Sequence, residues 1–263
     1  MPEGHTIHRV ARDHARDFVG QALAVASPQG RFAREAKRLD GRTLEAVDAW
    51  GKHLLYRWEG GRTVHIHLGL YGKFRTHKSP PPEPRGEVRL RVVGQHKAFD
   101  LNGPNRCEIL AKRSEQALLA RLGPDPLRGD ADPDDAWRRI SRSRAAIGTL
   151  LLNQEVIAGV GNVYRAEVLH LLNMSPERPG RDLTRDEFER LWTLLVELMT
   201  VGVKLNRIVI ADPRDVGKPR SRMNRAERLL IYKKDWCGQC DALVESWPVG
   251  GRTIYACPQC QAE

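Results

Sequence analysis

The sequence predicts an α+β protein with a β-rich N-terminal domain behind one helix, a helical domain, and a small cysteine-containing module at the C-terminus. Three observations predict this arrangement. Short alternating apolar runs continue to about residue 110, helical spacing replaces them after residue 133, and four of the five cysteines fall in the last 27 residues. A chain of 263 residues is long enough for two ordinary domains, each with its own core.

The leading helix is predicted over residues 3–18, where apolar positions recur at three- and four-residue spacing and Gly20 marks the end. The strand region follows from Ala22 to about Leu110, as runs of alternating residues separated by glycine pairs. The runs are residues 44–47, 53–56, 63–68 and 88–92. Such a series predicts a β-sandwich or barrel, with the prolines of residues 80–84 in an exposed loop.

Residues that break both helices and strands fill the segment 123–133, which is typical of a linker. Beyond it, helical spacing appears at residues 137–140, 147–152 and 163–172. A long helix is predicted from the capping box Thr184–Glu187 to Leu205. The predicted domains are therefore residues 1–123, a linker at 124–133, a helical domain at 134–226 and the cysteine module at 227–263.

The charge distribution predicts a polyanionic partner. The chain carries 43 Lys and Arg against 33 Asp and Glu, a formal net charge of +10. Residues 204–235 alone hold ten basic and four acidic side chains. No apolar run approaches the roughly 20 residues of a membrane span, and charged residues interrupt any signal-peptide pattern. We expect a cytoplasmic or nucleoid-associated protein.

Two Cys-x-x-Cys pairs near the C-terminus predict one structural Zn²⁺ site. The four thiolates occupy all tetrahedral positions, which leaves none for a catalytic water. The predicted ligands are Cys237, Cys240, Cys257 and Cys260. Between the pairs, residues 250–255 predict a hairpin with Arg252 near its tip, where a guanidinium can bind phosphate. The fifth cysteine, Cys107, is expected to be a small buried side chain on a strand.

Removal of Met1 would leave Pro2 as the first residue, followed at once by Glu3. Proline alone has a secondary α-amine, and an α-amine titrates near neutrality, at a pKa of roughly 8. It can therefore attack a masked aldehyde carbon and form an iminium, while the neighbouring carboxylate moves protons. An ordinary exposed terminus is the alternative interpretation of these residues by themselves.

The segment 151–167 predicts a glycine-containing turn between two helices. One helix is expected to end near Glu155, Gly159 and Gly161 lie in the turn, and Asn162 stands at the start of the next helix. Glycines allow close approach to a ligand, and a helix N-terminus binds phosphate oxygens. Asn162 could cap this helix or donate its amide to phosphate. A packing corner between helices is the alternative.

Taken together, these motifs resemble those of the formamidopyrimidine-DNA glycosylase and endonuclease VIII family of base-excision repair enzymes. The matching blocks follow the family's order along almost the whole chain. They are Pro2-Glu3-Gly4, Gly51-Lys52, residues 67–72 (His-Leu-Gly-Leu-Tyr-Gly), residues 121–125 (Arg-Leu-Gly-Pro-Asp), residues 159–162 (Gly-Val-Gly-Asn) and the zinc finger with Arg252.

The resemblance implies a β-sandwich domain, a helix–two-turn–helix domain and a zinc finger, with damaged duplex DNA bound between the domains. We expect a monomer, because the fold needs no partner to complete its core. It assigns Pro2 as the Schiff-base nucleophile, Glu3 as proton donor and acceptor, and Lys52 as the lysine that assists β-elimination. Arg252 would serve δ-elimination. The implied DNA contacts are His67, Leu70, Tyr71, Arg121, Gly161, Asn162 and Arg252, with Leu70 and Tyr71 filling the space of the extruded base.

The chain departs from the family pattern at three places. Thr6 replaces a second glutamate. Gly69 replaces the glutamine that in the endonuclease VIII branch precedes Leu70, Tyr71 and Gly72, the segment called the wedge because it fills the space of the extruded base. The Asp-Pro-Arg-Arg-Phe-Gly element of the purine-lesion branch is missing near residues 99–106. With Gly4 and the Leu-Tyr-Gly wedge, that absence favours the endonuclease VIII branch and oxidised pyrimidines.

Three alternatives stay open at the level of sequence. The first is a zinc-ribbon protein that binds distorted DNA without cutting it. The second is a glycosylase for oxidised purines, or an enzyme acting mainly on abasic sites. The third concerns His53, His65 and His67, which could hold a metal, although a phosphate contact from His67 or a role in the core is favoured because no acidic partner is evident.

Overall fold

A computed structural model describes residues 2–262 and divides them into two compact units. The first unit holds residues 2–3 and 7–121, and the second holds residues 4–6 and 122–262. The first unit contains eight strands: β1 (Ala22–Ala26), β2 (Arg42–Trp50), β3 (His53–Trp58), β4 (Arg62–His67), β5 (Lys73–Lys78), β6 (Val88–Val93), β7 (Lys97–Asn102) and β8 (Arg106–Leu110). Its helices are α1 (Gly4–Phe18, which begins in the other unit), α2 (Ala33–Leu39) and α3 (Lys112–Arg121).

The eight strands are antiparallel and follow the order β5-β7-β6-β1-β2-β3-β4-β8. Strand β1 belongs to both halves of this sheet: Ala22 and Leu23 pair with β2, while residues 24–26 pair with β6. Apolar residues from both halves and from one face of α1 share a single core. Sharing one strand between two packed halves closes a sandwich, and the predicted β-sandwich behind a leading helix is confirmed.

The second unit is helical, with a two-stranded hairpin near its end. Its elements are α4 (Pro133–Ile140), α5 (Ile147–Leu150), α6 (Asn162–Leu171), α7 (Arg185–Leu205), α8 (Pro213–Val216), two 3₁₀ turns (Gly180–Asp182 and Arg220–Arg222), β9 (Glu245–Val249) and β10 (Arg252–Ala256). The capping box that opens α7 is present: Thr184 Oγ1 accepts from the Glu187 N–H at 3.3 Å, and Glu187 accepts from the Thr184 N–H at 2.8 Å.

The structure corrects one local prediction and adds one helix that was not predicted. The helix expected to end near Glu155 ends at Leu150, because residues 151–157 form successive turns closed by local backbone hydrogen bonds. Helix α3 occupies residues 112–121, a segment without a predicted helix. None of its residues is buried, so it has no apolar face for a periodic pattern to reveal. Over residues 2–262, every helix is too short or too polar to cross a membrane.

Candidate active site

The N-terminal motif places a nearly buried carboxylate beside the proline. Glu3 is extended, with φ −113° and ψ 177°, and is 1% exposed, while Pro2 is half-buried. Met1, whose removal would free the proline amine, lies outside the described residues. Burial of a carboxylate costs folding free energy unless a partner compensates its charge, and such buried carboxylates cluster at functional sites.

Gly4, the next residue, packs against the glycine turn of the second unit. Its N–H donates to the carbonyl oxygen of Gly159 at 2.8 Å. A Cβ on Gly4 would lie 2.9 Å from the Cα of Gly159 and 2.8 Å from the methyl carbon of Met199. Two motifs that the sequence shows separately therefore meet backbone to backbone, and only glycine fits at position 4.

Lys52 lies in a tight turn of the first unit. Trp50 and His53 pair across β2 and β3, so Gly51 and Lys52 form a two-residue hairpin connection. Gly51 has φ +57°, the left-handed conformation that such turns need and glycine adopts without strain. The Lys52 side chain is half-buried at this turn. This geometry explains why glycine precedes the lysine.

The predicted wedge projects from a tight loop after β4. Leu70 is 59% exposed and Tyr71 is 84% exposed, which is unusual for large apolar side chains. Gly69 has φ +66°, and a Cβ there would lie 2.8 Å from the Cβ of Asn105. Glycine rather than glutamine therefore suits position 69 of this chain, because the left-handed backbone and the close contact with Asn105 would strain any residue with a side chain.

His67 and Arg121 line one cavity of about 380 Å³ in the first unit, together with residues that the sequence did not assign to the site, three of which matter for its charge. The three are His53, Arg106 and Glu108. Burial lowers the pKa of His53 to about 3 and also lowers the pKa of His67. At neutral pH these imidazoles are uncharged, and the positive charge of the cavity comes from its arginines.

His65 also borders this cavity and lies between His53 and Glu108. Nδ1 of His53 and Nε2 of His65 are 2.8 Å apart, and Nδ1 of His65 lies 3.3 Å from the Glu108 carboxylate. The histidines therefore do have an acidic neighbour, Glu108 of β8, which the sequence did not reveal. Among the described residues, however, the four-cysteine cluster is the group of three or more candidate ligands close enough to share a metal ion. The metal alternative for the histidines is not supported.

Asn162 does not cap α6 with its side chain. Gly161 occupies the N-cap position in an extended conformation, and Asn162 is the first helical residue. The Asn162 amide nitrogen donates to the carbonyl oxygen of Thr253 in β10 at 2.9 Å, and its oxygen accepts from Arg165. The capping alternative is wrong, because the side chain bridges α6 to the cysteine hairpin.

Arg165 is a buried structural residue beside the predicted site that the sequence analysis did not identify. Its side chain is fully buried, and it donates to the carbonyl oxygens of Gly148 and Thr253 at 3.1 and 3.2 Å. It thereby joins α5, α6 and β10. A single arginine inside a helical pattern gives no signal of such burial, although its position three residues after Asn162 places both on one helix face.

The four cysteines converge as predicted, and all four sulfur atoms lie within 4.8 Å of one another. Three of the sulfur–sulfur distances are 3.8, 3.5 and 3.4 Å. Tetrahedral Zn²⁺ with Zn–S bonds of about 2.3 Å separates its sulfurs by about 3.8 Å, so this donor set fits a structural metal. Nε2 of His170 lies 3.7 Å from the Cys237 sulfur and can support it from outside the cluster.

Arg252 begins β10 directly after the hairpin turn, and its side chain is exposed. Gly250 and Gly251 have φ values of +59° and +74°, and they reverse the chain between β9 and β10. Thr253, the following residue, is held through its carbonyl oxygen by Asn162 and Arg165. The strand that carries Arg252 is therefore anchored on the helical core of the same unit.

Comparisons with known proteins agree with this arrangement. Residues 1–107 match the family model described as Formamidopyrimidine-DNA glycosylase N-terminal domain, and residues 122–213 match Formamidopyrimidine-DNA glycosylase H2TH domain. The chain is 47% identical over 268 residues to Endonuclease 8 1 of Mycobacterium tuberculosis, covering 99% of this chain and 100% of that protein. It is 33% identical over 275 residues to Formamidopyrimidine-DNA glycosylase of Thermus thermophilus, covering 100% and 99%.

A solved complex between the Lactococcus lactis Fpg and DNA containing an abasic site has the same fold. The TM-score is 0.80 at 24% identity, with 99% of this chain and 100% of that chain covered. The β-sandwich, the helix–two-turn–helix unit and the cysteine hairpin together define a DNA glycosylase with abasic-site lyase activity. The chain belongs to the formamidopyrimidine-DNA glycosylase and endonuclease VIII family, as an endonuclease VIII-like bifunctional DNA glycosylase. The alternative of a DNA binder that does not cut is therefore wrong.

Proposed function

We propose that the protein excises oxidised pyrimidines from duplex DNA through a Schiff base on Pro2 and then cleaves the strand by β,δ-elimination. The observation that carries this proposal is the nearly buried carboxylate of Glu3 directly after Pro2. The 47% identity to Endonuclease 8 1, rather than the lower identity to the formamidopyrimidine enzymes, supports the choice of pyrimidine lesions.

The chemistry follows from the residue types. After Met1 is removed, the Pro2 nitrogen attacks C1′ of the damaged nucleotide, the bond to the base breaks, and the sugar ring opens to an iminium. The iminium acidifies the hydrogen on C2′. Removal of that proton expels the 3′ phosphate, and a second elimination expels the 5′ phosphate. Glu3 moves protons for the first steps, Lys52 assists β-elimination and Arg252 assists δ-elimination.

The DNA contacts are proposed from exposure and charge. Arg121 and His67 line a cavity that can take up a backbone phosphate, and Arg252 presents a guanidinium on an anchored strand. Gly161 is the N-cap of α6 and Asn162 is its first residue, where the positive end of the helix dipole favours an anion. Leu70 and Tyr71 are exposed enough to enter the base stack when the lesion is flipped out.

The remaining parts of the proposal concern assembly. The four cysteines would hold one Zn²⁺, which would stabilise the hairpin without taking part in the reaction. We propose a monomer that works on damaged double-stranded DNA at the nucleoid. We also propose the domain boundaries predicted from the sequence, with a linker at residues 124–133 and the zinc finger at residues 227–263.

The proposal is tested by borohydride trapping. Purified protein is incubated with duplexes that contain thymine glycol, 5-hydroxyuracil, 8-oxoguanine or an abasic site, and the imine is reduced. We expect covalent adducts with both pyrimidine lesions and the abasic site. Mass spectrometry of the digested adduct should place the sugar on the Pro2 nitrogen.

Matched variants separate the steps. Pro2→Gly and a form that keeps Met1 should lose the adduct, and Glu3→Gln should still bind DNA but react far more slowly. An adduct on a lysine side chain would contradict the mechanism. Faster trapping on 8-oxoguanine than on thymine glycol would instead establish the purine alternative, and trapping confined to the abasic site would establish the lyase alternative.

A further inference from the structure

A row of polar side chains crosses three neighbouring strands of the first unit. His53 on β3 is paired with His67 on β4, and His67 is paired with Arg106 on β8. His65, two residues before His67 and therefore on the same sheet face, is paired with Glu108. Ile66, between the two histidines of β4, points to the apolar core and is fully buried. The row thus lies on the face opposite the core.

Three members of this row form a directed hydrogen-bond chain. An ionised carboxylate only accepts hydrogen bonds, so Glu108 accepts from Nδ1–H of His65. A neutral His65 then has a bare Nε2, which accepts from Nδ1–H of His53 at 2.8 Å. The two ring planes differ by 25°, which suits a hydrogen bond lying in the plane of both rings. A neutral His53 must therefore carry its free lone pair on Nε2.

The charges around His53 favour this neutral form. Burial is the largest cause of its lowered pKa of about 3, and the other causes are the charges of groups on β4, on α3 and in the hairpin turn. Lys52 precedes it in the hairpin turn, His65 and His67 face it from β4, Arg121 faces it from α3, and Arg106 and Glu108 line the same cavity from β8. Apart from Glu108, which is bound to His65, the charged neighbours of His53 are cations.

We propose that Glu108 and His65 are positioning residues that hold His53 as the Nδ1–H tautomer, so that its Nε2 accepts a hydrogen bond from Arg121 and orients that guanidinium toward a DNA phosphate. This inference rests on the proposed function, since it assumes that the cavity binds the DNA backbone. The His53 and Arg121 side chains line the same cavity, and the Arg121 charge acts on His53. A neutral imidazole among cations is suited to accept a hydrogen bond from the Arg121 guanidinium, whereas a protonated imidazole would repel it.

The tautomer can be observed directly in histidine-labelled protein. Long-range ¹H–¹⁵N spectra distinguish a protonated from a bare ring nitrogen at each histidine. We expect the Nδ1–H form for His53 in the wild type. His65→Phe removes the acceptor and Glu108→Ala releases His65, so both variants should return His53 to the Nε2–H form that free histidine prefers. His65→Gln keeps an acceptor oxygen near the original Nε2 and should preserve the wild-type tautomer.

The consequence for binding is measured with a duplex containing a tetrahydrofuran abasic-site analogue, at fixed salt and pH 7. Loss of one ordinary hydrogen bond predicts a fall in affinity of roughly three- to tenfold for His65→Phe and Glu108→Ala. His65→Gln should bind within about twofold of wild type. His96→Gln, on an exposed turn between β6 and β7, is the matched control and should change neither readout.

The failures of the two proposals can be told apart. An Nε2–H form of His53 in the wild type would overturn the proposed role of Glu108 and His65, even when lesion binding is intact. Full affinity in folded His65→Phe and Glu108→Ala would overturn it as well. Equal affinity of the wild type for the analogue duplex and for undamaged duplex would overturn the proposed function. In that case the spectra would still decide whether Glu108 and His65 fix the His53 tautomer.

Discussion

The N–H of Gly4 donates a 2.8 Å hydrogen bond to the carbonyl oxygen of Gly159. The residue after the proposed catalytic pair is therefore held by the glycine turn that precedes α6. Because both partners are glycines, the two backbones approach more closely than any side chain would permit. This contact links the N-terminal motif to the turn that presents Gly161 and Asn162.

Gly4→Ala is expected to damage this contact. The new Cβ would lie under 3.0 Å from both Gly159 and Met199, and overpacking of this kind costs about 1–3 kcal/mol of unfolding free energy. The urea concentration at the unfolding midpoint and the rate of borohydride trapping should both be lower than in the wild type. Gly129→Ala is the control, because a Cβ there meets open space. Equal stability of the two variants would contradict the close packing.

Tyr71→Ala should weaken lesion binding without weakening the fold. The side chain is 84% exposed and contributes little to packing, but it is placed to fill the space of an extruded base. We expect affinity for an abasic-analogue duplex to fall about tenfold, a value in the range of base–aromatic stacking, and the melting temperature to stay unchanged. Val19→Ala, an exposed apolar residue at the end of α1, is the control. An unchanged affinity would remove Tyr71 from the wedge.

Asn162→Ala should loosen the cysteine hairpin. The substitution removes the donor to Thr253 and leaves the buried Arg165 guanidinium without one acceptor, a loss of about 1–3 kcal/mol. Hydrogen exchange of the β10 amides should become faster, and DNA affinity should fall with it. Gln116→Ala, which removes an exposed amide from α3, should leave that exchange unchanged. Slow exchange in the Asn162 variant would show that the anchor lies elsewhere.

Loss of the metal should unfold the hairpin selectively. Cys257→Ala removes one of four ligands, and a module this small depends on metal binding for its folding free energy. Elemental analysis should give one zinc per wild-type chain and much less in this variant, with reduced DNA affinity. Cys107→Ala removes the cysteine on β8, and it should keep the full metal content. Full zinc content in Cys257→Ala would contradict the assigned ligand set.

Glu187 should make stability depend on acid pH. Its ion pair with Arg178, at 2.7 Å, and the hydrogen bonds from Thr184 lower the pKa of the carboxyl to about 2 from 4.5. A lowered carboxyl pKa contributes stability that is complete above about pH 4.5 and is lost as the pH falls toward 2. Glu187→Gln keeps the cap but removes the charge, and because solvent screens this partly exposed ion pair, the variant should lose about 0.5–1 kcal/mol of unfolding free energy at pH 7. Urea unfolding curves should show this difference shrinking between pH 4.5 and 2.5, and a constant difference would contradict the assignment.

Much of the fold could be predicted because its signals are local. The apolar spacing of α1, the alternation of β3 and β4, and the capping box of α7 each depend on residues a few positions apart. The predictions failed where the local signal was weak or ambiguous. Helix α3 has no buried face, and residues 151–157 form turns although their apolar content favoured a continued helix.

The candidate site was predicted only in part for a related reason. Gly159 could be linked to a turn, since a left-handed φ is a local property. The partners of Asn162 could not be predicted, because Thr253 lies 91 residues away. No local signal distinguishes an asparagine that caps its own helix from one that bonds to a distant strand. The link from His65 to Glu108 was missed because strands β4 and β8 are neighbours only in the folded sheet.

The sequence by itself determined the residue types of the candidate site: a proline followed by a carboxylate, four cysteines at metal-binding spacing, an excess of basic residues, and much of the order of strands and helices. Those properties depend on residue type and short spacing, which the chain carries before it folds. Only the tertiary structure decided which backbone Gly4 contacts, which carbonyl Asn162 holds, and which ring nitrogen of His53 faces His65. These depend on antiparallel register and on packing between distant segments, which arise when the chain buries its apolar surface.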